Sequence, residues 1–187
     1  MNHLKIQDSP VGIDLKNFTF KGEPVIVQHR SVKDISAIFL DQEAAKKIPM
    51  ESPAYQVQVW MPVAEGTMGG LFFGTSTIMP GKVGNEYMMT RGHFHTQTDR
   101  AEFYWGVLGQ GMLILMDRDR NTWAEKIYPG SLHYIGADIA HRLANTGHEN
   151  LVVGACWPSD AGHDYGEIVT NGFSARLLEI EGKPTLV

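Results

Sequence analysis

Four side chains in the middle of the sequence have the types and the spacing of a metal-binding site. His93 and His95 are two positions apart, with Phe94 between them. On a β-strand this spacing points both imidazoles to one face and Phe94 to the other. Glu102 follows at the start of the next apolar run, and His141 opens a later one. If a barrel brings them together, three imidazoles and one carboxylate can bind a divalent ion.

The donor set limits which ion this can be. Nitrogen and oxygen donors without a thiolate favour Fe(II), Mn(II), Ni(II) or Zn(II) over Ca²⁺ or Mg²⁺. We expect one divalent ion per chain, Fe(II) first and Mn(II), Ni(II) or Zn(II) as alternatives. Four protein ligands on an octahedral ion leave two positions free, and if these are cis they suit a substrate that binds through two oxygens.

Such ligands need a rigid scaffold, and most of the sequence after Pro53 predicts one made of short strands. Ten segments are dense in aromatic and β-branched residues, and turn residues such as Pro80-Gly81 and Pro129-Gly130 separate them. This spacing indicates an all-β antiparallel sandwich or barrel. The predicted strands are Tyr55–Met61, Leu71–Met79, Tyr87–Thr90, Ala101–Leu108, Met112–Asp117, Thr122–Ile127, Leu132–Ile135, Arg142–Asn145, Leu151–Trp157 and Phe173–Ile180.

Only one segment predicts a helix. The run from Asp34 to Lys47 is rich in helix formers, and Ser52-Pro53 lies just past its end. A chain of 187 residues suits one domain. We therefore expect a single domain over 1–187, with an N-terminal lead-in over about 1–53 that carries the short helix and a barrel over about 54–175.

Composition excludes several classes of protein. With 16 basic and 21 acidic side chains the formal charge is −5, which argues against a nucleic-acid partner. No apolar run approaches the roughly 20 residues of a membrane span, and the polar start from Met1 to Pro10 lacks the apolar region of a signal peptide. Cys156 is the single cysteine, which excludes an internal disulfide. We expect a cytoplasmic protein with no membrane partner.

The combined spacing resembles the two motifs of the cupin family. The first motif is matched by His93, His95, Glu102 and Gly109, and the second by the set Gly130, His141 and Asn145. Three features depart from the usual pattern: Tyr87 replaces a glycine, Gly136 and Asp138 replace a proline and a glycine, and six residues separate His95 from Glu102. The resemblance implies a cupin fold, a double-stranded β-helix or jelly-roll barrel.

Several stretches resemble one branch of that family, the cupin-type glucose-6-phosphate isomerases. They are Pro80-Gly81-Lys82-Val83-Gly84, the run from Thr90 to His95, the long gap to Asp99-Arg100-Ala101-Glu102, and the tail from Pro158 to Gly166. The resemblance covers about positions 54 to 175. It implies an enzyme that interconverts glucose 6-phosphate and fructose 6-phosphate (EC 5.3.1.9) in glycolysis and gluconeogenesis, with a sugar phosphate as its partner molecule.

The resemblance also implies roles for individual residues. The metal ligands would be His93, His95, Glu102 and His141. The sugar-phosphate site would include Thr90, Gly92, Tyr104, His163 and Tyr165. Ser76 stands where the family has a threonine, which keeps the hydroxyl, and Trp157 stands where it has a tyrosine, which loses a phenolic donor. Strict alternation from His93 turns Thr90 outward, so its role depends on the resemblance alone.

Isomerisation of an aldose needs a base, a route for the hydroxyl proton and an electrophile. Glu102 is the candidate base, with Tyr104 and His163 as candidates for hydroxyl proton transfer or ring opening. A metal-assisted hydride shift without a protein base is the rival mechanism, and the sequence does not decide between them.

Two other functions stay open at this point. The same ligand set supports an Fe(II)-dependent cupin oxygenase, and the chain could also be a non-catalytic sugar-binding cupin. The family resemblance further implies a homodimer, for which pairing of an edge strand over Pro24 to Val32 is the expected physical route.

Overall fold

The computed structural model describes residues 6–187, which form fifteen β-strands, three short α-helices and one 3₁₀-helix. Residues 1–5, the first part of the predicted lead-in, lie outside the described residues. The strands are β1 (Val11–Ile13), β2 (Phe20–Gly22), β3 (Val25–Ser31), β4 (Pro53–Trp60), β5 (Leu71–Ile78), β6 (Lys82–Val83), β7 (Glu86–Tyr87), β8 (Glu102–Leu108), β9 (Gly111–Met116), β10 (Thr122–Ile127), β11 (Leu132–Ile135), β12 (Ala140–Asn145), β13 (Leu151–Pro158), β14 (Leu177–Ile180) and β15 (Lys183–Leu186).

Two antiparallel sheets form the barrel. The larger has the order β11-β8-β13-β5-β4-β3 and the smaller the order β10-β9-β12. Ile78 of the larger sheet and Leu113 and Leu143 of the smaller belong to one buried core. A four-stranded sheet, β15-β14-β7-β6, and the hairpin β1-β2 complete the structure. This confirms the predicted all-β jelly-roll fold.

Side-chain patterns along the strands match the faces that the strands bury. β11 alternates strictly, with Leu132 and Tyr134 exposed and His133 and Ile135 buried, as expected for a strand with one wet face. All six residues of β12 are buried, because this strand is covered on both faces. His141 and its neighbour Arg142 therefore point into different parts of the protein interior.

The predicted helix from Asp34 to Lys47 is wrong in its continuity, because the segment contains three short pieces. At Phe39 the backbone becomes extended, and the phenyl ring is buried in the core with 2% of its surface exposed. Asp41 then starts a new helix, since its carboxylate accepts a hydrogen bond from the backbone N–H of Ala44 at 2.8 Å. The pieces are α1 (Val32–Ile35), a 3₁₀-helix (Ser36–Ile38) and α2 (Gln42–Lys46).

Eight of the ten predicted strands are present within two residues at either end, and two differ more. The strand predicted over Tyr87–Thr90 is reduced to β7, because the chain after Tyr87 forms only single bridges to β12. The strand predicted over Phe173–Ile180 begins at Leu177. Elements absent from the prediction are β1, β2, β6, β15 and the helix α3 (Gly166–Asn171), whereas β3 lies within the edge strand expected over Pro24 to Val32. Within residues 6–187, no helix is both long and apolar enough to cross a membrane.

Candidate metal centre

His93, His95, Glu102 and His141 converge inside the barrel, as their spacing predicts. Each offers one donor atom, and the four atoms lie within 4.8 Å of one another. Glu102 Oε1 is 2.6 Å from His141 Nε2 and 3.4 Å from His95 Nε2. Three of the four side chains are almost fully buried, Glu102 and His95 at 5% exposure and His141 at 1%.

The hydrogen bonding of this cluster is incomplete in a way that fits a metal. Glu102 Oε1 and His141 Nε2 are both buried, and neither has a hydrogen-bond partner in the part of the chain that the structure describes, although they are close together. Burying polar atoms without partners costs roughly 1–3 kcal/mol each. An ion bound between them would use the lone pairs of both atoms, so the donor set fits a divalent cation.

Backbone carbonyls orient two of the imidazoles. The ring of His95 is bonded through Nδ1 to the carbonyl oxygen of Arg100 at 3.0 Å, and that of His141 to the carbonyl oxygen of Ile139 at 3.1 Å. Because a carbonyl oxygen only accepts, Nδ1 carries the proton in each neutral ring. The Nε2 lone pairs then point toward the centre of the cluster, as a metal site requires.

The protonation states of the cluster also suit a cation. Burial opposes ionisation of Glu102, but His141 and His95, when protonated on Nε2, outweigh it and lower the pKa of Glu102 to about 2. Burial, followed by the neighbouring His141 and His163, holds the pKa of His93 well below its usual value. At neutral pH the site therefore presents an anionic carboxylate and a neutral His93.

The segment that carries the two histidines is extended but not part of a regular strand. His93 and Phe94 each form a single β-bridge, to His141 and Asp164. Phe94 points away from the cluster, is buried at 1% exposure and lies 3.7 Å below the guanidinium of Arg118. The alternation expected for the His-Phe-His run is confirmed.

Alternation fails one residue earlier, and this corrects the outward position of Thr90. Gly92 has a φ of +80°, a backbone conformation that glycine adopts readily and that reverses the local direction of the chain. A Cβ at this position would lie 2.9 Å from the Phe173 ring. Thr90 thus lines the same cavity as His93, and its Oγ1 accepts a hydrogen bond from the Leu143 N–H at 3.0 Å.

A cavity of about 350 Å³ opens above the cluster, and the site residues predicted from the sequence all line it. Ser76 and Trp157 lie on adjacent strands, β5 and β13, of the larger sheet. Tyr104 lies on β8, two residues after Glu102, on the same face. Burial, and then the Glu102 carboxylate, holds the pKa of Tyr104 well above its usual value, so the phenol keeps its proton.

The loop after β13 contributes two aromatic rings at the cavity mouth. The rings of His163 and Tyr165 are stacked, 6.0 Å apart and 8° from parallel. His163 also lies 4.4 Å from the ring of His93. His163 is exposed on its outer side, yet desolvation by the atoms around the ring is enough to lower its pKa. Tyr165 is 40% exposed, so its hydroxyl can reach a bound ligand.

The sequence did not reveal the wall that β3 provides. Gln28 and Arg30 line the cavity from this edge strand, and Tyr55 lies beside them on β4. Arg91 lines the same wall, with its guanidinium 5.6 Å from the centre of the Tyr165 ring. The pairing of β3 with β4 joins distant segments, and the only signal in the sequence was the expected edge strand over Pro24 to Val32.

Comparison with known proteins adds a family match. The glucose-6-phosphate isomerase (GPI) family matches residues 29–184. The glucose-6-phosphate isomerase of Thermococcus kodakarensis is 38% identical over 180 residues, covering 95% of this chain and 94% of that protein. That of Sinorhizobium medicae is 32% identical over 171 residues, covering 89% and 78%. The structure of oxalate decarboxylase from Bacillus subtilis has 18% identity and a TM-score of 0.47, covering 63% of this chain and 28% of that one, a likeness too low to support an inference.

Proposed function

The chain belongs to the cupin-type glucose-6-phosphate isomerase family, and on this premise we propose which of its residues carry out the reaction. The activity is the interconversion of glucose 6-phosphate and fructose 6-phosphate, EC 5.3.1.9. The observation that carries this conclusion is 38% identity to an isomerase across 95% of the chain, together with a buried cluster that can hold a metal.

The ligands of the ion are His93, His95, Glu102 and His141. Support comes from the two partnerless buried atoms, Glu102 Oε1 and His141 Nε2, and from the carbonyls that orient His95 and His141. One ion per chain is held there, and we propose that it is Fe(II). Three imidazoles and a carboxylate suit Fe(II), and they also suit the alternatives Mn(II), Ni(II) and Zn(II). When bound, the ion supplies electrophilic stabilisation of the negative charge that develops on the two sugar oxygens.

Glu102 carries the proton between C2 and C1. Its carboxylate lies on the cavity face and is ionised at neutral pH, so it can accept a proton. The low pKa that His141 and His95 impose makes it a weak base. The rival route is a direct hydride transfer with Glu102 only as a ligand. Isotopic labelling separates the two routes, as set out in the Discussion.

Tyr104 and His163 transfer protons to and from the hydroxyl groups of the sugar. Tyr104 remains protonated because burial and the Glu102 carboxylate raise its pKa, so it donates to a sugar oxygen. His163 is neutral because its pKa is lowered, and a neutral imidazole both accepts and donates a proton. Its place at the mouth suits opening of the sugar ring.

The phosphate binds between the hydroxyls of Ser76, Thr90 and Tyr165 and the backbone N–H of Gly92. Thr90 Oγ1 already accepts from the Leu143 N–H, which leaves its own O–H free to donate to the phosphate. Trp157 offers an indole ring to the sugar in place of a phenol. The guanidinium groups of Arg30 and Arg91 add positive charge to the same cavity.

We propose that each chain forms one domain, that two chains form a homodimer, and that the enzyme acts in the cytoplasm. The outer face of the larger sheet has an apolar patch, formed by Phe103, Trp105, Leu132 and Tyr134, with 42–69% of each residue exposed. An exposed apolar patch of this kind marks an interface. The edge strand β3, at the opposite end of the same sheet, is the expected route of strand pairing and the alternative to this patch. The single cysteine fits a reducing compartment.

The deciding experiment uses chelated protein. Fructose 6-phosphate consumption is measured without oxygen, before and after each of Fe(II), Mn(II), Ni(II) and Zn(II) is added back. We expect no turnover without metal and the highest turnover with Fe(II). Turnover that persists in fully chelated protein would exclude the metal role, and a maximum with another ion would exclude the choice of Fe(II).

A further inference from the structure

Arg142 is a buried cation on the side of β12 opposite to the metal ligands. Only 7% of the residue is exposed. Its neighbour His141 points into the active-site cavity, whereas Arg142 lines a second cavity. This second cavity lies between α3, the start of the predicted helical segment, and the chain around Arg176.

Within residues 6–187, no carboxylate pairs with this guanidinium. Its Nη1 donates to the sulfur of Met89 at 3.1 Å, its Nη2 donates to the carbonyl oxygen of Arg91 at 2.8 Å, and its plane lies 4.1 Å from the centre of the Phe173 ring. Its Nε is buried and has no hydrogen-bond partner among the described residues. Burying a charge costs free energy unless an opposite charge compensates it. An anion from outside the chain that binds beside Arg142 would supply this compensation.

The charges nearby do not supply that anion. Arg91 and Arg176 line the same cavity, so two further arginines add positive charge to its wall. The buried carboxylate of Glu86 accepts hydrogen bonds from the guanidinium of Arg176 at 2.7 Å and from the backbone N–H of Leu40. Of residues 6–187, one carboxylate lines the cavity wall, that of Asp34. It accepts hydrogen bonds from the N–H and the O–H of Ser31 at 2.7 and 2.9 Å at the start of α1.

The cavity has the size and the walls of a ligand site. Its volume is about 450 Å³, within the general range of roughly 300–1,000 Å³ for small-molecule pockets. Apolar side chains cover the part that the arginines leave, namely Ala37, Ile38, Ile168, Val169 and Phe173. A ligand with a charged end and a carbon skeleton matches both parts.

We propose that this second cavity binds a small organic phosphate, separately from the sugar phosphate in the active site. The phosphate group lies against Arg142 and Arg176, whose forked donors match its oxygens. The carbon skeleton lies against Val169 and Phe173. Arg91 lines both cavities, so a ligand in the second cavity contacts a residue of the active-site wall.

The test measures binding of glycerol 3-phosphate and of inorganic phosphate by calorimetry. The background is the double variant Ser76→Ala/Thr90→Val, which lacks two proposed phosphate donors of the active site. We expect one site that remains in this background and binds glycerol 3-phosphate at least several-fold more tightly than inorganic phosphate, because only the former uses the apolar walls.

Two added substitutions locate that site. Arg176→Gln removes a charge from the cavity, and Val169→Glu, at a residue 67% exposed on the cavity rim, adds a negative charge without disturbing the core. Each should weaken glycerol 3-phosphate at least tenfold, whereas Lys46→Gln on α2, outside the cavity, should not. Equal affinity in Val169→Glu and Lys46→Gln would overturn the proposal, as would equal affinity of the two probes. Isomerase activity, measured on the unmodified chain, tests the proposed function independently.

Discussion

The indole of Trp157 lies directly against Gly74 in the wall of the active-site cavity. A Cβ at position 74 would come within 2.9 Å of the indole Cη2, so only glycine leaves room for this ring. The indole of Trp157 therefore forms this part of the wall, at a position where the cupin-type isomerases have a tyrosine. Relative to a tyrosine, the cavity lacks one phenolic hydroxyl at position 157, and a substitution there can restore it.

Trp157→Tyr and Trp157→Phe form a matched pair for this position. Both rings fit above Gly74, but only tyrosine brings a hydroxyl that can donate to the sugar phosphate. A hydrogen bond to a charged group contributes roughly 1.5–3 kcal/mol, so the tyrosine variant should have a KM for fructose 6-phosphate at least tenfold below that of the phenylalanine variant. Steady-state kinetics measures this, and equal KM values would mean that position 157 does not reach the phosphate.

Removing any one imidazole of the cluster should release the metal. His93→Ala, His95→Ala and His141→Ala each leave three ligands, which hold a divalent ion far less tightly. Elemental analysis after dialysis should find well below one ion per chain. His163→Ala is the matched control, because this ring is 4.4 Å from His93 but outside the four-residue cluster. Full metal content in all three ligand variants would show that the ion lies elsewhere.

Loss of the hydroxyls at Ser76 and Thr90 should weaken substrate binding and leave the metal in place. Ser76→Ala together with Thr90→Val should raise the KM for fructose 6-phosphate at least tenfold, by roughly 1.5–3 kcal/mol for each hydrogen bond to the phosphate. Thr90→Ser retains the hydroxyl and serves as control. An unchanged KM in the double variant would remove both residues from the phosphate site.

Deuterium at C2 distinguishes the two routes for the hydrogen. If Glu102 is the base, the abstracted proton sits on a carboxylate beside a cavity open to water. Glucose 6-phosphate deuterated at C2 should then give fructose 6-phosphate that has lost part of its label, as measured by mass spectrometry.

The same mechanism predicts the effect of Glu102→Gln. The amide keeps the size of the side chain but cannot accept a proton, so turnover should fall by roughly 10²–10⁴, with part of the metal retained. Complete retention of deuterium at C1 together with a nearly active Glu102→Gln would instead support the hydride shift.

A charge on the apolar patch should separate the proposed dimer. Leu132→Lys or Tyr134→Lys places an ammonium group at residues that are 69% and 61% exposed, so the folded chain tolerates it. Light scattering should show a dimer for the unmodified chain and a monomer for each variant. Trp123→Lys, on β10 of the other sheet and 38% exposed, should remain dimeric. Dimers of unchanged stability in both patch variants would place the interface elsewhere.

The metal ligands could be predicted because their chemistry is local in the sequence. The alternation of His93, Phe94 and His95 follows from extended backbone alone. Alternation alone turns Thr90 outward, whereas the family resemblance places it in the site, where it lines the cavity. A single glycine at 92, with a φ of +80°, reverses the alternation, and glycine in a sequence does not reveal the sign of its φ.

The remaining errors come from tertiary contacts. The helix over 34–47 breaks because burying Phe39 outweighs helix propensity, which is a weak preference. Arg30 and Arg142 reach their cavities only through the pairing of distant strands, so neither could be placed from the sequence.

The position of β13 in the larger sheet constrains how this chain can be made. β13 lies between β5 and β8, pairing with both, yet it follows both of them in the sequence. During synthesis, the edges of β5 and β8 that pair with β13 therefore stay unpaired until residues 151–158 have emerged from the exit tunnel. Such edges invite association between nascent chains. Slow translation of the last fifty residues should thus lower the soluble yield far more than slow translation of the first fifty.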